Sequence, residues 1–74
     1  MGTLDTLRLR QTATVQAVTG DDDITQALAE AGLLPGAEVE ILARGLIGGT
    51  PLSVRVGRAV LALRRSEARR VSLS

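Results

Sequence analysis

The feature of this 74-residue chain that most constrains its fold is an alternation of apolar and polar residues in several short segments. A period of two places every second side chain on one face of a strand, so each segment has a face available for burial. The segments cover residues 7–17, 38–43, 52–56, 59–63 and 70–74. Glycine or proline lies in most of the connections, and Gly57-Arg58 predicts a tight reversal between the third and fourth segments. The pattern therefore predicts a mainly β chain with five short strands.

A single segment has helical spacing instead. Its apolar residues recur at three- and four-residue intervals and are Ile24, Ala27, Leu28 and Ala31. Asp23, followed three residues later by Gln26, predicts the N-terminal cap, and Gly32 predicts the C-terminal end. We expect this short helix to follow the first strand and to plug one end of the molecule through Ile24 and Leu28.

Five short strands and one helix form a buried core most economically as a closed barrel, which also removes exposed sheet edges. The predicted fold is a small five-stranded barrel of the SH3-like kind. We expect one domain over residues 7–74 and a loose N-terminus over residues 1–6.

The residue types that the chain lacks exclude most catalytic chemistry. It contains no Cys, His, Phe, Trp or Tyr, so it has no thiolate nucleophile, no imidazole base and no ordinary zinc site. Asp21, Asp22 and Asp23 lack the spacing of a calcium loop, and helix capping accounts for them. We therefore predict that the protein is not an enzyme, with no catalytic residue, no cofactor and no metal ligand. No apolar run is long enough for a membrane span, so we expect a cytoplasmic protein without direct membrane insertion.

Charge is distributed unevenly along the chain. Residues 1–43 contain two arginines against seven acidic residues, a net charge of −5, whereas residues 44–74 contain seven arginines against one glutamate, a net charge of +6. Pairing between the halves, with Glu38 and Glu40 opposite Arg55, is the favoured interpretation. The alternative is a small Arg-rich barrel that binds nucleic acid through phosphate contacts. We expect no nucleic-acid partner, because aromatic side chains for base stacking are also absent.

A candidate docking surface lies in the glycine-rich connection over residues 44–51. Leu46 and Ile47 are adjacent large aliphatic residues, and the alternation leaves at least one of them outside the core. Two interpretations stay open: the pair docks into a partner, or it folds down to cap the barrel. Leu34 and Leu42 extend the same candidate partner-binding surface.

Residues 28–39 (LAEAGLLPGAEV) resemble the signature of the FeoA family, small bacterial proteins of ferrous-iron transport. The resemblance continues in order through GGTPL at 48–52, VRVG at 54–57, LALR at 61–64 and EA at 67–68. It covers the chain from about Leu9 onward. Gln11 departs from the pattern, because many members have glycine before the first strand, and the helix lacks the basic residues often seen on its outer face.

The resemblance implies an SH3-like module that assists or regulates FeoB, the membrane ferrous-iron transporter with an attached GTPase domain. The same type of domain forms the C-terminal module of iron-dependent repressors, so a detached repressor-type interaction module is the other role it implies. We expect the transport role, because the chain contains no helix-turn-helix. The oligomeric state and the effect on the transporter are not predicted.

Overall fold

The computed structural model describes residues 2–74, and their secondary structure is mainly β, as predicted. The elements in chain order are a 3-10 turn at Leu4–Thr6, β1 at Thr12–Val18, α1 at Asp23–Glu30, β2 at Glu38–Gly45, β3 at Gly49–Val56, β4 at Ala59–Leu63, α2 at Arg65–Ala68 and β5 at Val71–Leu73. All five predicted strands and the predicted helix are present, but β1 begins at Thr12 rather than at the predicted Leu7, because the chain turns at Arg10 (φ +67°) just before it.

The strands form one antiparallel sheet in the order β4-β3-β2-β1-β5. Register shifts within β1 and β2 mark bulges, which bend strands and increase their twist. Within residues 2–74 the two outer strands, β4 and β5, are not paired with each other. Complete closure, which would have removed the sheet edges, is therefore not observed, and β4 remains an edge strand.

The sheet and both helices enclose a single apolar core. The alternation in β3 is typical, since Leu52, Val54 and Val56 are buried while Arg55 between them is exposed. The other buried residues are Leu4, Leu7, Val15, Leu28, Leu33, Val39, Ile41, Leu63, Ala68, Val71 and Leu73. Burial of apolar area stabilises the folded state by roughly 25 cal/mol per Å², so these buried side chains make the main stabilising contribution.

The helix α1 meets the core through its C-terminal half only. Leu28 is buried, and Gly32 (φ +108°) lets the chain reverse so that the Leu33 amide donates to the Leu28 carbonyl (3.0 Å). Ile24 lies in the first turn and stays exposed. The prediction that Ile24 points into the barrel is wrong, because an eight-residue helix places only its later turn over the core.

The N-terminal cap of α1 is Asp22 rather than the predicted Asp23. The Asp22 carboxylate accepts a hydrogen bond from the Thr25 amide (3.1 Å), whereas Asp23 is the first helical residue. The cluster of three aspartates explains the error, since each of them has a side chain suitable for capping.

Residues 2–6, which belong to the N-terminal segment predicted to be loose, contact β5 and the core in the structure. Leu4 is fully buried in the 3-10 turn, and Thr3 forms a bridge with Ser72 of β5. The Leu73 amide donates to the Gly2 carbonyl (3.0 Å). Residues 2–7 thus cover the outer edge of β5 and contribute to the core, while Met1 lies outside the described residues.

Candidate functional site

The candidate site is the tip of the β2–β3 hairpin, defined here as residues 46–48. The sequence predicts a connection over residues 44–51, but β2 continues to Gly45 and β3 begins at Gly49, and these two glycines pair across the hairpin. A Cβ atom on Gly45 would lie 2.0 Å from the Thr50 carbonyl oxygen. Glycine therefore allows a close backbone approach that narrows the connection to three residues.

The two aliphatic side chains at the tip project into solvent. Relative exposure is 102% for Leu46 and 83% for Ile47. Of the two interpretations left open by the sequence, the structure shows the exposed one, because neither side chain folds over the core. Two adjacent exposed aliphatic residues at a hairpin tip are a surface suited to insertion into an apolar groove.

The tip backbone is held in place by contacts on both sides. The Thr50 amide donates to the Ile47 carbonyl (3.2 Å), and the same two residues form an isolated bridge. From α2, the Arg65 guanidinium donates to the Gly48 carbonyl. The tip consequently presents its side chains on a fixed backbone, which reduces the entropy lost on binding.

The structure does not bring the other two candidate residues to the tip. Leu34 is exposed but precedes β2, so it lies at the opposite end of that strand from Leu46. Leu42 lies within β2, next to a bulge, and is half-buried. The four residues therefore do not form one continuous patch, and the exposed surface at the tip consists of Leu46 and Ile47.

Three of the seven arginines in the basic half, Arg55, Arg69 and Arg70, pair with acidic residues from the other half. Glu40 lies directly opposite Arg55 and accepts a hydrogen bond from it, as the favoured interpretation predicts, whereas Glu38 lies opposite Thr14 of β1. Two more ion pairs between the halves join Arg69 to Asp5 (3.6 Å) and Arg70 to Asp22 (2.6 Å). Within the acidic half, Arg10 also pairs with Glu40 (3.7 Å). The other four arginines of the basic half, Arg44, Arg58, Arg64 and Arg65, form no ion pair within residues 2–74, so the pairing neutralises the basic charge only in part.

Within the aspartate cluster, Asp22 links the start of α1 to Arg70, the residue that precedes β5. Hydrogen bonds from the Arg70 guanidinium and from the Thr25 amide together lower the pKa of the Asp22 carboxyl to about 2. Within residues 2–74, no three carboxylates converge in a way that could hold a metal ion. None of the helices in the described part of the chain is long and apolar enough to cross a membrane.

Sequence reasoning missed the groups that fix the tip and the N-terminal segment. Arg65 reaches Gly48 across 17 positions, and Arg44 reaches the Leu7 carbonyl across 37. A guanidinium that bonds a distant backbone carbonyl leaves no periodic signal, because its partner is a main-chain atom common to every residue. The only sequence sign was an arginine beside a turn.

Comparison with known proteins gives a consistent family and fold. A family model, the FeoA domain, matches residues 2–74. A crystal structure of FeoA from Stenotrophomonas maltophilia complexed with zinc, described as a procaryotic SH3 domain protein, is 42% identical with a TM-score of 0.89, over 100% of this chain and 91% of that one. An iron uptake regulatory protein (FeoA) is 25% identical with a TM-score of 0.84, over 96% and 92%.

More distant structures show the fold alone. T. acidophilum IdeR is 22% identical with a TM-score of 0.81, and the match covers 97% of this chain but 32% of that one. A search of curated proteins found no match. The SH3-like fold predicted from the sequence is confirmed.

Proposed function

This chain belongs to the FeoA family, which gives it a role in ferrous-iron transport, and we propose that it acts there as a non-catalytic, cytoplasmic accessory protein that docks to the FeoB transporter. The S. maltophilia relative is described as a candidate activating factor of bacterial ferrous-iron transport. An accessory that acts by contact needs a recognition surface rather than reactive groups.

The observation that carries the proposal is the exposure of Leu46 and Ile47 on an anchored hairpin tip. Burying two aliphatic side chains in a partner groove removes their apolar surface from water, which favours association. The tip backbone is already ordered by the contacts of Ile47 and Gly48, so little chain entropy is lost on docking. Leu34 and Leu42 lie outside this surface and are expected to contribute little.

The side-chain chemistry supports a non-catalytic role. The sequence has no histidine or cysteine, which leaves carboxylates as the acid-base groups that titrate below neutral pH. Asp22 is engaged with Arg70 and Thr25, and Glu40 with Arg55. These carboxylates hold elements of the fold together.

The test is a binding measurement between the full chain and the purified cytoplasmic part of FeoB. We expect the Leu46→Asp/Ile47→Asp variant to bind at least about tenfold more weakly, because a charge at the centre of an apolar contact must be desolvated. Leu9→Asp is the control for placing a charge on an exposed aliphatic position, since Leu9 is also exposed but lies outside the tip. This control is expected to bind like the unmodified chain.

The two parts of the proposal fail in different ways. If the unmodified chain does not bind the cytoplasmic part of FeoB, the partner is wrong. If it binds and the double variant binds equally well, the partner stands and the tip is not the contact.

A further inference from the structure

The two edges of the sheet differ in how they are covered. At β5, Gly2 and Thr3 provide backbone contacts to Leu73 and Ser72, so the outer side of that strand is occupied. At β4, residues 59–63 pair with β3 on one side, and within residues 2–74 no backbone hydrogen bond is made on the other. An uncovered edge offers N–H and C=O groups to a further strand.

The hairpin turn determines which backbone groups face outward from β4. Gly57 has φ +59° and begins a two-residue turn, so Val56 and Ala59 are its closing, hydrogen-bonded pair. Hydrogen-bonded and non-hydrogen-bonded pairs alternate in an antiparallel ladder. Val60 and Ala62 are therefore the residues whose N–H and C=O groups point away from β3.

The edge also lacks the features that usually prevent strand addition. The sequence of β4 is AVLAL, without charge, proline or glycine, whereas protected edges generally contain lysine, proline or a bulge. Val60 is 61% exposed. Nothing within the strand opposes the approach of another extended segment.

The charge at the two ends of β4 indicates the kind of segment that fits. Arg58 precedes the strand and Arg64 follows it, both are exposed, and within residues 2–74 neither forms an ion pair. In the fully overlapping antiparallel arrangement of two copies, which is centred on Leu61, Arg58 of one copy would lie opposite Arg64 of the other. Like charges at both ends disfavour that pairing.

We propose that the open edge of β4 binds an extended segment of a partner protein that has acidic residues six positions apart, flanking an apolar centre. The main chain of the segment pairs with Val60 and Ala62, and its acidic ends pair with Arg58 and Arg64. This surface is separate from the hairpin tip and does not rest on the proposed docking to FeoB.

The test uses the blocked peptide Glu-Thr-Val-Thr-Val-Thr-Glu and an isotope-labelled full chain, observed by amide chemical shifts. In the antiparallel register, its two valines lie beside Ala62 and Val60 and its glutamates beside Arg64 and Arg58. We expect the largest shifts at Val60 and Ala62, and affinity at least about fivefold weaker for the same peptide with lysine in place of glutamate.

Two variants separate the contribution of the charges at the ends of β4 from that of the main-chain pairing. Arg58→Glu/Arg64→Glu is expected to reverse the preference, so that the lysine peptide binds more tightly than the glutamate peptide. Ala62→Pro removes an outward N–H without removing a bond to β3 and is expected to abolish the shift at Val60. The charge-reversal variant keeps the proposal testable if the proline variant does not fold.

Several outcomes would overturn the proposal. These are no binding of the glutamate peptide up to its solubility limit, equal binding of the two peptides, or shifts that map to Leu46 and Ile47. Sedimentation that shows a dimer, with Val60 and Ala62 amides protected in it, would identify a second copy as the occupant instead.

Discussion

The N-terminal segment and the hairpin tip each contain two aliphatic residues, and the fold uses them in opposite ways. Leu4 and Leu7 are buried, whereas Leu46 and Ile47 are exposed. In both regions a distant arginine bonds the backbone: Arg44 donates to the carbonyls of residues 5 (3.1 Å) and 7, and Arg65 donates to that of residue 48. Similar backbone anchoring thus fixes a segment that completes the core and a segment whose aliphatic side chains face solvent.

The largest expected effect is at the buried pair. Leu4→Ala deletes a side chain with 0% exposure and should lower the free energy of unfolding by about 2–5 kcal/mol, since the core loses contacts and is left with a cavity. A domain of this size has a total stability of only about 5 kcal/mol or somewhat more, so extensive unfolding is an expected result. Urea denaturation followed by far-ultraviolet circular dichroism measures the change.

Leu46→Ala is the matched control for that experiment. It removes the same atoms from an exposed position and should change the free energy of unfolding by less than about 0.5 kcal/mol. Similar losses in the two variants would contradict the contrast between a buried pair and an exposed pair.

A smaller effect is expected from the backbone of the tip. Gly45→Ala places a Cβ atom 2.0 Å from the Thr50 carbonyl oxygen. Because this distance is too short for two non-bonded atoms, the two strands must separate locally. We expect a loss of about 1–3 kcal/mol, typical of overpacking, together with faster amide exchange at Thr50. A variant as stable as the unmodified chain, with unchanged exchange at Thr50, would show that the tip is not held as the contacts indicate.

The sequence predicted the sheet better than it predicted the two contrasting regions. In β3, three inward and two outward residues repeat a period of two, and the structure follows that period because one face of the strand is buried. Leu4 precedes the alternating segments, and Leu7 begins the segment 7–17 but lies before β1, which starts at Thr12. Their burial depends on the backbone pairing of residues 2 and 3 with β5, a contact across about 70 positions.

The candidate surface at the hairpin tip could be predicted from the sequence only in part, because only some of its features are local. Leu46 and Ile47 are recognisable as surplus aliphatic residues in a glycine-rich connection, and this is a local signal. Leu34 does not join them, because it precedes β2 whereas Leu46 and Ile47 follow it, so the two connections lie at opposite ends of that strand. The open edge of β4, in contrast, follows from the order of strands in the sheet, because AVLAL reads as an ordinary buried strand until its neighbours are known.

The smallest expected effect concerns the surface ion pair between Arg70 and Asp22, which we compare with the buried leucines of the N-terminal segment. The Arg70 guanidinium, with the Thr25 amide, holds the pKa of the Asp22 carboxyl at about 2, below its ordinary value of 3.8. Because the folded-state pKa is lowered, the stabilisation is fully present above about pH 4 and is lost as the pH falls through about 2. A carboxyl-detected NMR titration should show Asp22 titrating below the other aspartates. Arg70→Gln should raise the pKa of Asp22, while the buried contacts of Leu4 stay independent of pH in that range. An unchanged pKa of Asp22 in the variant would mean that the Thr25 amide, rather than Arg70, lowers the pKa of this N-cap residue.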